Sequence, residues 1–181
     1  SHAVAAQQPP WQPRIFPRHV MDEVQSAELA PAVLCCTPDI EHPAFGRWEQ
    51  PCWLQQGETL GDRMQGAARR ALNEAERVLI IGSDCPGISA GYLRTAFIEL
   101  EGSDVVLGPA EDGGYQLLGV RRIDEALFRD VNWGSDRVLA QTRRRIEELG
   151  WSCTLLDPLR DVDRPEDLEW LRKEYPSIFS G

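Results

Sequence analysis

The most concentrated apolar run in the chain is Val78-Leu79-Ile80-Ile81, three of its four residues β-branched, closed by Gly82 and followed by the turn pair Pro86-Gly87. A run this short predicts a strand buried on both faces rather than one side of a helix. Residues 32–36, 104–108, 115–120 and 152–156 read as further strands, and 51–55 as a short one. Helical spacing lies between them. Val20, Met21, Val24 and Leu29 form a stripe from residue 18 until Pro31 stops it. Met64, Ala67, Ala68, Ala71, Leu72 and Ala75 make the inner face of a helix that lasts to about residue 76. Ser89 is placed to cap a helix over 90–100, and a short helix is expected over 123–128. Another helix, over 136–149, has Ser135 as its expected N-cap and Gly150 as its stop. Strand, loop and helix therefore alternate, and the economical fold is α/β with a mostly parallel sheet. Residues 1–17 carry four prolines and no apolar period, and predict an irregular lead-in, with Ser1-His2 reading as a cloning remnant. Residues 18–181 read as a single domain.

At 181 residues and 42% apolar content, the chain is long enough for one three-layer core. Its formal charge of −10 disfavours nucleic acid or an anionic membrane as partner. A small phosphorylated ligand stays compatible, because a divalent cation bridges two sets of negative oxygens. Lys173 is the only lysine, so no lysine is available for chemistry in the core. The five cysteines (Cys35, Cys36, Cys52, Cys85 and Cys153) show neither paired nor metal-ligand spacing. Neither a disulfide framework nor a zinc site is expected, and a reducing cytoplasm is the default. A nucleophilic role for Cys85 is disfavoured by the adjacent Asp84, which raises a thiol pKa. No apolar run approaches the roughly 20 residues of a membrane span, and no signal peptide is visible.

Candidate chemistry gathers at strand ends. Asp84 follows the strand at Val78, at the edge where open α/β sheets bind ligands. It reads either as a ligand for Mg²⁺ or Mn²⁺ or as a cap for the turn that follows. Asp161 and Asp163 stand at an i, i+2 spacing just past the last strand, on one side of an extended backbone. Asp163 also fits the N-cap of a helix entered at Pro165, and either aspartate meeting Asp84 would complete a two-carboxylate metal site. Asp112-Gly113-Gly114 is either a hairpin turn or a loop whose glycines let backbone approach a ligand faced by Asp112. Trp133 reads first as a packing residue and second as a ligand platform.

Four segments in order carry a resemblance: Gln56-Gly57 with Leu60-Gly61-Asp62-Arg63-Met64; Ile81-Gly82-Ser83-Asp84-Cys85-Pro86; Leu107-Gly108-Pro109-Ala110-Glu111-Asp112-Gly113-Gly114-Tyr115; and Asp161-Val162-Asp163 with Pro165-Glu166-Asp167-Leu168. Together they resemble a small bacterial family of glycosyltransferase-like proteins of unassigned function, with the GT-A, nucleotide-diphospho-sugar transferase fold. That family is similar to the molybdenum-cofactor and 2-phospho-lactate guanylyltransferases. The resemblance implies a Rossmann-like three-layer sandwich that binds a nucleotide or nucleotide-sugar at the carboxyl edge of its sheet. It implies Asp84 as metal ligand, Asp161 or Asp163 as the second carboxylate, and Asp112 with Gly113 and Gly114 facing an acceptor. Gln56, Gly57, Tyr115 and Trp133 would line the substrate site, and Arg63 would point toward phosphate. One departure stands out. Family members open with a strand, a Gly- and Pro-containing loop and a Lys-Thr-Arg segment forming the nucleotide subsite. Nothing in residues 1–17 matches, and the opening strand is expected to be missing.

Three functions compete at this stage. A glycosyltransferase breaks the sugar C1–oxygen bond and releases nucleoside diphosphate, whereas a nucleotidyltransferase breaks the α–β phosphate link and releases pyrophosphate. The third is a catalytically silent binding scaffold, favoured by the absent opening strand, whose exposed sheet edge would be covered in a homodimer.

Overall fold

The computed structural model describes residues 3–7, 15–29, 31–36, 49–83, 85–160, 169, 170, 172, 173 and 176. Its elements run β1 (Ala3–Gln7), α1 (Ile15–Ala27), β2 (Ala32–Cys36), β3 (Cys52–Leu54), α2 (Leu60–Leu72), β4 (Val78–Gly82), α3 (Ala90–Glu99), β5 (Val105–Pro109), β6 (Tyr115–Val120), a 3₁₀ turn (Glu125–Phe128), α4 (Val138–Glu148) and β7 (Cys153–Leu155). The strands form one sheet in the order β3-β2-β1-β4-β6-β5-β7. The pairs β1/β2, β1/β4, β2/β3 and β5/β7 are parallel, and β6 runs antiparallel to both β4 and β5. The architecture is thus mixed α/β with a mostly parallel sheet, as the alternation of elements predicts.

Side-chain alternation along the central strands builds two cores, one on each face. In β4, Leu79 and Ile81 join Val106 of β5 and Leu117 of β6 against Val20 and Val24 of α1 and Leu93, Ala96 and Phe97 of α3. On the other face, Val78, Ile80, Val105, Leu107, Leu118 and Val120 pack against Met64, Ala68 and Ala71 of α2, Leu127 and Phe128 of the 3₁₀ turn and Ile146 of α4. Three layers result. α1 and α3 are further tied by backbone contacts: the Glu23 carboxylate accepts from the Ala90 amide at 2.7 Å, beside the expected Ser89 cap on Tyr92 at 3.1 Å.

The largest difference from expectation is at the start of the chain. Ala3–Gln7, expected as irregular lead-in, is a strand at the centre of the sheet, registered with Ala32 on one side and Val78 on the other. An opening strand is present. Its sequence, Ala-Val-Ala-Ala-Gln, has too few bulky apolar residues to announce a strand, and pairing on both sides supplies what propensity does not. α1 likewise begins at Ile15, because a proline is tolerated in a helix's first turn, where its missing N–H has no intrahelical partner. α2 stops at Leu72, four residues before the expected end, with Asn73 as C-cap. α4 starts at Val138 with Arg137 as N-cap and no side-chain cap bond, so Ser135 is not the cap.

Leu79 is fully buried at the centre of the first core. Leu79→Ala is expected to lower the unfolding free energy by about 2–5 kcal/mol, measured by urea denaturation at unchanged helix content. A loss under about 1 kcal/mol would mean that the site collapses around the gap and that β4 is not tightly packed.

Candidate functional site

Chain order reverses direction between β1 and β4: β2 and β3 are added on one side, β4 and the remainder on the other. At such a switch point the carboxyl ends of neighbouring strands leave a crevice for a ligand. β4 enters it at Gly82. A Cβ there would lie within reach of the Gln116 side-chain oxygen, so glycine is what lets the Gln116 amide cross the strand end. Ser83 follows, buried, and its Oγ has no hydrogen-bond partner among the described residues.

Asp84, Asp161 and Asp163 lie outside the described residues, and among the described residues no three His, Cys, Asp or Glu side chains form a metal-binding group. Their chain neighbours nevertheless converge. Leu159 bridges to Ala110 in parallel fashion, and its amide donates to the Pro109 carbonyl at 2.7 Å, extending the sheet past β7. A Cβ on Gly87 would sit 3.4 Å from the carbonyl oxygen of Arg160, so the turn after Asp84 packs on the residue just before Asp161. Tyr92 holds this exit from the α3 side: its hydroxyl donates to the Asp157 carbonyl at 2.7 Å. Burial pushes the Tyr92 phenol pKa well up, and the Asp157 carboxylate adds to it.

The β5–β6 connection is a hairpin turn, and Asp112 and Gly114 of that turn also line a cavity. Asp112 Oδ1 accepts from the Gly114 amide at 2.9 Å, and Ala110 N–H donates to the Gly114 carbonyl at 3.0 Å. Gly113 has φ +90°, and a Cβ on it would collide with the Asp136 carbonyl; its own carbonyl accepts from the Leu139 amide at 2.9 Å. The turn is thereby fastened to the start of α4. Beside it opens a cavity of about 370 Å³ lined by Leu60 and Met64 of α2, the end of β4, Asp112, Gly114, Tyr115 and Gln116, and the loop from Trp133 to Asp136. Trp133 is half-buried, 6.1 Å from Phe128 between ring centroids. It packs over Gly61, where a Cβ would come 2.9 Å from its ring. It is therefore both a packing residue and a cavity wall. The Tyr115 hydroxyl accepts from Thr142 at 3.4 Å, and burial drives its pKa far up, so this phenol stays protonated.

Gln56 and Arg63 line a separate, smaller cavity of about 140 Å³, with Cys35, Trp53, Gln55 and Arg70. Gly57 shapes the approach: at φ +122°, it has no room for a Cβ beside Asp62. Its carbonyl accepts from Arg63 Nε at 3.3 Å, and the Glu58 carbonyl from Arg63 Nη2 at 3.5 Å, which fixes the guanidinium at the mouth of the Gln55–Glu58 loop. A reciprocal cap closes α2 there, with Thr59 and Asp62 exchanging backbone and side-chain bonds. The bonds from Thr59 hold the Asp62 carboxyl below the usual carboxylate range. Arg70 stacks on Trp53 at 4.0 Å. The predicted site residues thus fall into two groups separated by α2, with Asp112, Gly114, Tyr115 and Trp133 on one side and Gln56 and Arg63 on the other.

Gln116, Ser135 and Asp136 were not anticipated as site residues. Gln116 carried a signal: it is the one polar side chain in strand β6, on the face that Leu118 and Val120 bury. Ser135 and Asp136 fit the opening of a helix equally well, and their cavity position depends on α4 beginning two residues later.

Gly113→Ala is expected to cost about 1–3 kcal/mol from its left-handed backbone alone, with the collision against Asp136 added to that. The unfolding midpoint measures it; a change within error would show that the turn shifts freely. A second expectation concerns alkaline pH. Burial pushes the Cys35 thiol up to about 11 from 9.0, so the unfolded chain ionises there first. Stability present below pH 9 should be lost as pH rises through 11, more steeply in the parent than in Cys35→Ala, by urea titration at several pH values. Equal slopes would contradict the burial.

Comparisons with known proteins bear on this geometry. A crystal structure of a candidate nucleotide-diphospho-sugar transferase from Desulfovibrio desulfuricans G20 superposes with a TM-score of 0.83 at 26% identity, over 96% of this chain and 87% of that one. The 4-diphosphocytidyl-2C-methyl-D-erythritol synthase of Anaerococcus prevotii DSM 20548 superposes with a TM-score of 0.67 at 10% identity, over 97% and 96%. CMP:2-keto-3-deoxy-manno-octonic acid synthetase, solved with CTP, gives 0.64 at 12% identity, over 97% and 98%. No curated protein matches by sequence. The fold is therefore that of the nucleotide-diphospho-sugar transferases. A family model described as "uncharacterized protein conserved in bacteria (DUF2064)" matches residues 20–135, more than half of the sequence, and the chain belongs to that family.

Proposed function

We propose that the protein is a metal-dependent transferase that draws on a nucleotide-activated donor. The observation that carries the reading is the contact between Gly87 and Arg160, which brings the stretch after Asp84 against the stretch before Asp161 at the carboxyl rim of the sheet. In this reading Asp84, with Asp161 or Asp163, holds Mg²⁺ or Mn²⁺. The buried Ser83 Oγ, without a partner among the described residues, fits such a site, because a buried hydroxyl left so leaves room for water or a ligand beside it. When bound, the cation supplies neutralisation of charge growing on the leaving phosphate.

The chain's own residues divide the remaining work. Gln56, Gly57 and Arg63 take the donor's nucleotide, with the edge of the Arg63 guanidinium that the Gly57 and Glu58 carbonyls do not occupy offered to phosphate oxygen. Asp112, one carboxylate oxygen held by the Gly114 amide, accepts the proton of an acceptor hydroxyl. Gly113 lets the turn sit tightly on α4, and Tyr115 and Trp133 wall the acceptor side. The acceptor oxygen then attacks sugar C1, and nucleoside diphosphate leaves. A nucleotidyl version, attack at the α-phosphorus with pyrophosphate leaving, is favoured by the two cytidylyl-type neighbours of the same fold. The silent-scaffold reading loses one of its supports, since a strand does open the sheet, and keeps the other, since no Lys-Thr-Arg segment follows that strand in residues 8–17.

No helix among the described residues is long and apolar enough to cross a membrane. The test is calorimetry with Mn²⁺ and a panel of UDP, GDP, GTP and UDP-glucose. Metal-dependent binding of one nucleotide, abolished by Asp84→Ala, is the expected result. Absence of binding under any metal contradicts the proposal, and assay of released diphosphate against pyrophosphate separates its two versions.

A further inference from the structure

The two cavities beside α2 differ in charge. Arg63 and Arg70 line the smaller one. Among the described residues, the only charged ones lining the larger are Asp112 and Asp136, and no Arg, Lys or His lines it. A group bearing phosphate or carboxylate would be brought against two carboxylates with no counter-charge in the wall, and like charges set together disfavour binding. The remaining lining suits hydroxyls and their carbon skeleton. The Gln116 amide, crossing Gly82, makes no hydrogen bond to a described residue and offers both a donor and an acceptor. Leu60, Met64, Trp133 and Val138 give apolar surface, and Trp133 is held in place by Phe128 and Gly61. We infer that this cavity of about 370 Å³ takes a hydroxyl-bearing acceptor carrying no phosphate or carboxylate group. The inference rests on the cavity being the acceptor side of a transferase.

The test uses the full chain without metal or nucleotide, so its failure is separate from failure of donor binding. The probes are glucose, glucosamine and glucose 6-phosphate, followed on the indole N–H resonances of the six tryptophans. The Trp133 signal is identified as the one lost in Trp133→Phe, with the other five reporting that the variant is folded. Glucose and glucosamine should shift that signal, and glucose 6-phosphate should need at least about tenfold more ligand for the same shift, the ratio corresponding to about 1.4 kcal/mol. In Asp112→Asn with Asp136→Asn that gap should close. Equal or tighter binding of glucose 6-phosphate by the parent, no shift with any probe, or a gap unchanged in the double variant would overturn the inference.

Discussion

Removing Val78, Leu79, Ile80 and Ile81 from water on both faces of the sheet is the constraint from which the other features follow. A strand covered by helices on each side has no exposed face on which to carry polar chemistry, so function must sit where the strand ends. Gly82 and Ser83 mark that end, and both adjoin groups that a buried core cannot satisfy: the Gln116 amide and an unpartnered hydroxyl. β1 pairing with Val78–Gly82 on one side and β6 on the other fixes the strand laterally. β4 is thus paired on one side through Gly82 and on the other through Ile81.

From that rim outward, small residues decide what approaches what. Gly87 admits the Arg160 backbone, Gly61 admits Trp133, and Gly113 admits the Asp136 carbonyl. Each contact joins distant stretches: the β4 turn with the segment after β7, α2 with the loop before α4, and the β5–β6 turn with α4. The cavity wall is assembled from four parts of the chain: α2, the end of β4, the β5–β6 turn with the start of β6, and the loop before α4. α2 then divides the surface, with apolar Leu60 and Met64 turned to the acidic cavity and Arg63 and Arg70 to the basic one.

Much of this was legible in residue order. β2, β6 and β4 were readable because a short apolar run bounded by glycine or proline has few alternatives, and the Ser89 cap was readable because its chemistry is local. β1 was not, since Ala-Val-Ala-Ala-Gln is strand only by virtue of its neighbours on both sides. Ser135 looked like a helix cap and instead donates to the Asn132 carbonyl at 2.7 Å, a choice made by the tight loop that places Trp133. Trp133 itself could be weighed only as packing or platform, because a tryptophan over a glycine and beside a phenylalanine does both. The grouping of Gln56 and Arg63 away from Asp112 depends on which face of α2 each side chain leaves, and the motifs, read in a line, did not carry that division.

The central claim is that aspartates from two distant stretches share one divalent cation. Titration of Mn²⁺ followed by electron paramagnetic resonance counts bound ions directly, without any substrate. One tight site in the parent chain is predicted, strongly weakened by Asp84→Asn and, separately, by Asp161→Asn with Asp163→Asn. Mn²⁺ that binds equally well when either stretch is altered, or does not bind the parent at all, would contradict it.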